Sequence, residues 1–218
     1  MDALRGRWRT DCAGVARVGQ ADVDEVGSRL LRRWREPHRH YHDTTHLGEV
    51  LAATDTLCTA GDVPADDRTV ALLGAWFHDA VYSPEAHETN EAESAALAEG
   101  ELRRLGVRDE IRSRVGTLVL DTVSHDLAAI DAEDPARVVL HDADLWILAA
   151  PVARFDEYCR QVRQEYAHVP VADYATGRSE VLRPFLVRPH VYRSAHGRSE
   201  WEPVARENLA RELTRLAG

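Results

Sequence analysis

The residues best equipped for chemistry sit inside the most apolar stretch of this chain, LLGAWFHDAVY, from Leu72 to Tyr82. Such a stretch reads as a helix buried on nearly every face, yet it carries His78 and Asp79 side by side. Burying an imidazole and a carboxylate costs free energy unless each finds a partner, and a bound cation satisfies both at once. A hydrogen bond between the two that only stabilises the core is the competing account. Further polar groups fall on or beside otherwise apolar helices: His46, His125 and the HDAD run of residues 141 to 144. Imidazole nitrogen and carboxylate oxygen are ligands of zinc, manganese, iron and nickel, and two His with two Asp would hold a divalent cation with positions open for water. Each residue alone reads as a structural hydrogen-bonding group. Their order, His, then His-Asp, then Asp over about 100 residues, moves the balance to metal.

The elements that must position these groups are helical. Residues 3 to 18 and 20 to 36 read as amphipathic helices, the second presenting Leu30, Leu31 and Trp34 and stopped by Pro37. A polar loop leads into a helix from about Asp43 to Ala60, with Gly61 placed as its C-terminal cap. His42 and His46 share a face if both lie on it. The central helix is expected from about Arg68 to Tyr82, after an N-cap marked by Pro64, Asp66 and Asp67, and is broken before Pro84. Asn90 and Glu93 form a capping-box pattern opening a helix to Leu105, and Arg108 to His125 is the next. VVLHDADLWILAAP follows Pro135, and helices over 152 to 168, 173 to 188 and 198 to 216 complete the chain. Arg137 to Leu140, a short β-branched run, is the one place where a strand competes. The expectation is one all-α domain over residues 1 to 218, a bundle of about eight or nine helices.

Length and composition bound the rest. The chain has 218 residues, enough for a sizeable core in one domain. No run of 18 apolar residues crosses a bilayer and MDALRGRWRTD holds no segment of signal-peptide length, so a soluble, cytoplasmic protein with no membrane partner is expected. Net charge is -10, and all 27 basic residues are Arg because Lys does not occur. So acidic a chain is a poor general binder of nucleic acid, and lysine chemistry is excluded. Cys12, Cys58 and Cys159, an odd number at wide spacing with no CxxC, indicate neither a disulfide framework nor a zinc-thiolate site.

The order His46, His78-Asp79, Asp144 resembles the HD superfamily of metal-dependent phosphohydrolases. The likeness extends to YHDTTHL, AWFHDAVYSP, NEAESAALA, HDADLWIL, VRQEY and the final YRSAHGRSEWEPVARENLARELTRL, which look like a branch of predicted HD-domain phosphohydrolases of generally unassigned substrate, over residues 28 to 217. The resemblance implies an HD-type helical bundle with its core at about 28 to 190 and a C-terminal helix at about 198 to 217. It makes His46, His78, Asp79 and Asp144 the ligands of a divalent transition metal, Zn, Mn, Fe, Ni or Co, one per chain. The di-iron branch, which includes oxygenases, places two further His between the HD pair and the last Asp; here His87, His125 and His141 stand in that interval.

Roles for other residues follow from what such a site needs. A divalent cation lowers the pKa of bound water from near 16 to about 7 in the zinc case and polarises a phosphoryl oxygen. Glu91 is the candidate to orient water or protonate the leaving group, against its reading as an acid favoured by the helix dipole. His125 is a candidate to bind phosphate, act as general acid or ligate a second metal, against a solvated His at a helix end. His42 supports His46 or lines the pocket, and Asp142 is equally well solvated. Arg163 and Tyr166 are candidates to hold an anionic substrate, since Arg offers phosphate a planar fork; an exposed ion pair with Glu165 is the alternative for Arg163. The expected function is hydrolysis of a small phosphorylated molecule, a nucleotide among the options. A di-metal oxygenase and a non-catalytic nucleotide-binding regulatory module are the alternatives, and the oligomeric state is left open.

Overall fold

The structure is a computed structural model that describes residues 2–85, 89–123 and 133–218. His87 and His125 lie outside the described residues. Ten α-helices make up the described chain, with no strand among the described residues. They are α1 (Asp2–Cys12), α2 (Gln20–Arg33), α3 (Thr44–Ala60), α4 (Ala65–Phe77), α5 (Asn90–Arg104), α6 (Asp109–Asp121), α7 (Pro135–Asp144), α8 (Val152–Glu165), α9 (Val171–Val187) and α10 (Glu202–Leu216). A 3-10 turn over Leu145–Ala149 follows α7, and a π-helical turn over Gly197–Trp201 leads into α10. The count exceeds the expected eight or nine because residues 135–144, poised between helix and strand in the sequence, are helical. Asp134 decides it locally: its carboxylate accepts from Ala136 N at 3.0 Å and Arg137 N at 3.3 Å, and Pro135 fits the first turn, where no amide hydrogen is needed.

Helices α3, α4 and α7 pack against one another at the centre, α6 covers α4 and α7, and α5 lies on α6. The driving force is apolar burial: every residue from Val70 to Phe77 in α4 is buried. Gly74 lets the three helices meet, since a Cβ there would stand 2.9 Å from Leu140 Cδ2 and 3.3 Å from Leu118 Cδ2. The large aromatics orient themselves through their N–H groups. Trp8 Nε1 donates to Val23 O at 2.8 Å, Trp34 Nε1 to Trp76 O at 3.1 Å, and Trp76 Nε1 to the buried Asp11 at 2.9 Å. Cys12, Cys58 and Cys159 are free and buried. No helix among the described residues is long and apolar enough to cross a membrane.

Several boundaries depart from the sequence expectations, each for a local reason. Helix α4 ends at Phe77 rather than Tyr82, with His78 as its C-cap. The chain just past it is held by Arg39, whose Nη1 donates to Asp79 O at 2.8 Å and whose Nη2 donates to Ala80 O at 3.2 Å. Asp43 caps α3 by accepting from Thr45 N and His46 N, which leaves His42 outside the helix. Gly61 is the C-cap of α3 as expected. The Asn90–Glu93 capping box does not form: Asn90 accepts from Ser83 N at 3.0 Å and donates to Ser83 O at 3.2 Å, clamping the chain that follows the HD pair.

Candidate metal centre

The three central helices bring four polar side chains, two of them from the end of α4, close to one another. His46 comes from the first turn of α3, His78 and Asp79 from the residues that close α4, and Asp144 from the last position of α7. The Nε2 atoms of His46 and His78 are 3.1 Å apart. Asp79 Oδ2 lies 3.2 Å from His78 Nε2 and 3.6 Å from His46 Nε2. Asp144 Oδ1 lies 3.3 Å from His46 Nε2 and 3.4 Å from His78 Nε2. The imidazoles are sealed, at 2 % and 0 % side-chain exposure, while Asp79 and Asp144 keep 17 % and 12 %.

The hydrogen-bond chemistry defines what this point can hold. His78 Nδ1 meets the Ala75 carbonyl at 2.9 Å, and because a carbonyl only accepts, Nδ1 carries the hydrogen. In the neutral ring Nε2 then presents a lone pair, facing a second imidazole nitrogen and two carboxylate oxygens. Acceptors facing acceptors repel, and a proton or a metal cation between them removes the conflict. Burial works against protonating either imidazole, but Asp79 and Asp144 outweigh it: His78 is raised well above its ordinary pKa and His46 is raised as well. Burial likewise opposes ionisation of Asp79, yet His78 and His46 hold it well below the usual carboxylate range. His46, His78 and Asp79 form a group that could hold a metal ion, and Asp144 Oδ1 stands 3.3 Å and 3.4 Å from the two imidazoles.

A network behind the donors fixes their approach. Arg39, with its side chain 0 % exposed, donates to His42 O at 2.9 Å as well as to Asp79 O and Ala80 O, so the loop before α3 and the end of α4 share one cation. Glu36 Oε2 balances it at 3.1 Å. Glu165 at the end of α8 accepts the backbone N–H groups of His40, Tyr41 and His42 at 2.8, 2.8 and 3.0 Å, the Tyr82 hydroxyl at 2.9 Å and His42 Nδ1 at 2.7 Å. Burial alone raises the Glu165 pKa, but His42 and these backbone donors bring it down to about 2. The His42 ring is thereby held 4.1 Å from Tyr82, near parallel, and 5.8 Å from His46.

The donors open on a cavity of about 790 Å³, the size of a small-molecule site. His46, Asp79 and Asp144 form one end; Tyr41, Tyr82, Tyr158, Tyr166, Tyr174 and Phe185 supply aromatic walls. No protein-family model, curated protein or solved structure matches this chain. Among the residues singled out in the sequence, His42, Glu91 and Tyr166 line the cavity. Arg163 does not: its Nη1 donates to Tyr166 O and its Nη2 to Val169 O at 2.9 Å, so it closes the end of α8 instead of meeting a ligand. Nor does it pair with Glu165, which faces the His42 loop. Asp142 is not solvated but wholly buried, accepting from His141 Nδ1 at 2.8 Å, Arg193 N at 2.8 Å and Ser194 N at 2.7 Å. His141 is thus held beside Asp142.

Three residues of this region escape a reading of the sequence. Arg39 and Glu165 lie in polar segments whose partners are brought in by tertiary packing, although Glu165 stands within the VRQEY segment already noted. Arg178 projects from α9 into the cavity, and nothing in ATGRSE separates it from a surface arginine.

Proposed function

We propose that this chain is a metal-dependent phosphohydrolase of the HD type, acting on a small phosphorylated molecule. The observation that carries the reading is the cluster of His46, His78 and Asp79, whose ligand atoms lie within 4.8 Å of one another, with Asp144 Oδ1 3.3 and 3.4 Å from the two imidazoles, on the wall of a cavity of small-molecule size. The resemblance of YHDTTHL, AWFHDAVYSP and HDADLWIL to HD-domain phosphohydrolases supports the same conclusion. A divalent ion held by these four side chains supplies acidification of water and polarisation of a phosphoryl oxygen.

The remaining work falls to the chain's own groups. His42 is oriented by Glu165 through Nδ1, leaving Nε2 to accept or deliver a proton at the cavity wall. Glu91, at the start of α5, lines the same cavity and is the second acid-base candidate. The tyrosine walls exclude water and stack on a planar body; Tyr82, Tyr158 and Tyr166 have pKa values raised by burial, so they act as neutral hydroxyls.

The test combines metal content with isotope tracing. Purified protein is expected to hold about one transition-metal ion per chain and to release phosphate from nucleotides or phosphate monoesters, with oxygen-18 from solvent water appearing in that phosphate. Activity that requires dioxygen and paired iron, with no label in phosphate, would instead establish the oxygenase, and tight nucleotide binding without turnover would establish the binding module.

A further inference from the structure

Every strongly held arginine around this fold has an anionic or carbonyl partner. Arg7 pairs with Asp11 and Asp55, Arg29 with Glu101, Arg114 with Asp67, Arg137 with Asp121 and Arg154 with Glu49, while Arg163 is occupied by carbonyls. Arg178 differs. It lines the cavity, and its Nε is buried without a hydrogen-bond partner. Among the described residues its one acceptor is the Tyr158 hydroxyl, met by Nη2, and no carboxylate pairs with it. The guanidinium carbon stands 5.1 Å from the Tyr158 ring centroid, a contact that offsets part of the cost of desolvation, and although Asp173 lines the same cavity it forms no ion pair with Arg178. In a chain of net charge -10, a cavity-facing cation without an ion-pair partner is a place for a ligand's own charge.

The position of Arg178 relative to the metal centre defines the ligand. From the His46 ring the wall runs to Tyr41 at 4.6 Å, from Tyr41 to Tyr158 at 4.5 Å, and from Tyr158 to the guanidinium at 5.1 Å. Arg178 and the His/Asp cluster therefore lie on one cavity, joined by a tyrosine-lined wall suited to stacking, along which a planar body could bridge them.

Resting on the phosphohydrolase reading, we infer that Arg178 binds a second anionic group of the substrate, so that the substrate is two-headed: a scissile phosphoryl group at the metal end, a planar or apolar middle, and a phosphate or carboxylate at Arg178. The planar guanidinium suits either oxyanion, donating to two of its oxygens in a fork.

The experiment uses metal-loaded protein and three rigid, non-hydrolysable probes measured by calorimetric titration: biphenyl-4-phosphonate with one head, and biphenyl-4,4′-diphosphonate and 4′-carboxybiphenyl-4-phosphonate with two. Wild type is expected to bind at least one two-headed probe about 10- to 100-fold more tightly than the one-headed probe, the range of a charge-assisted hydrogen-bonded contact. Which two-headed probe gains more distinguishes phosphate from carboxylate. Arg178→Gln is expected to abolish that preference while binding the one-headed probe as wild type does, and Arg178→Lys to retain part of it. Equal affinity for all three probes in wild type, or a preference that persists in Arg178→Gln, overturns the inference. A preference that depends on Arg178 in a protein that hydrolyses no phosphate ester keeps the anion site and removes only the hydrolase reading.

Discussion

The two ends of the cavity are built on opposite principles. At the His/Asp end the residues stand on or just past α3, α4 and α7, helices buried in the core; Ala75 O accepts from His78 Nδ1, while Asp43 accepts the His46 backbone N–H and Arg39 holds the Asp79 carbonyl. At the far end the wall is α9, in which Leu182 is the only buried residue. Its cavity-facing residues Tyr174, Arg178, Val181 and Phe185 recur at helical spacing, while Val171 and Val187 are exposed. The His/Asp cluster thus sits where packing leaves little freedom, whereas α9 is anchored chiefly on α10 and keeps most of its length accessible.

The largest effect should come from the rigid end. His78→Ala and Asp79→Ala are expected to lose nearly all bound metal, while Arg178→Gln keeps the wild-type content, as elemental analysis would show. Equal metal in all four proteins would sink the assignment of the donors. Next in size, Arg39→Met leaves the carbonyls of His42, Asp79 and Ala80 without their donor and Glu36 without its partner. Loss of a buried cation with that many contacts is expected to cost about 3 to 5 kcal/mol in urea unfolding.

Glu165 gives a pH-dependent version of the same test. Its folded pKa of about 2 lies below the usual 4.5, so its contribution is complete above the unfolded value and lost as pH falls through the folded one. The stability gap between wild type and Glu165→Gln should shrink by about 3 kcal/mol as pH drops from about 5 to about 2. A constant gap over that window would mean that the carboxylate charge is not what holds the His42 loop. The smallest effect belongs to the other end: Val171→Ser and Val187→Ser on the outer face of α9 should change stability by no more than about 0.5 kcal/mol.

The helical elements were legible because their signals are local: Asp43 and Gly61 bracket α3, and the apolar run of α4 has no soluble alternative to burial. That His46, His78 and Asp79 come together was foreshadowed for the same reason, since His and Asp on apolar helices stand out against their neighbours. What the sequence hid is whatever depends on residues far apart. Arg39, some 40 residues away, holds the Asp79 and Ala80 carbonyls just past the end of α4, and Asn90 turns to Ser83 rather than to its own helix end. Arg163 and Arg178 are alike in composition and spacing. Only the packing of α9 across the cavity turns the second inward, while the first is taken by the carbonyls of its own helix end.

The anchoring of the His42 loop by Glu165 also orders events in time. The bonded amides of His40, Tyr41 and His42 lie 123 to 125 residues from the carboxylate that receives them, so they cannot be protected until α8 has been synthesised and docked, long after the His46, His78 and Asp79 donors have left the ribosome. Contacts of such sequence separation form late. The His42 loop is therefore the last part of this region to set, and a nascent chain can bring His46, His78 and Asp79 together well before it acquires an ordered His42.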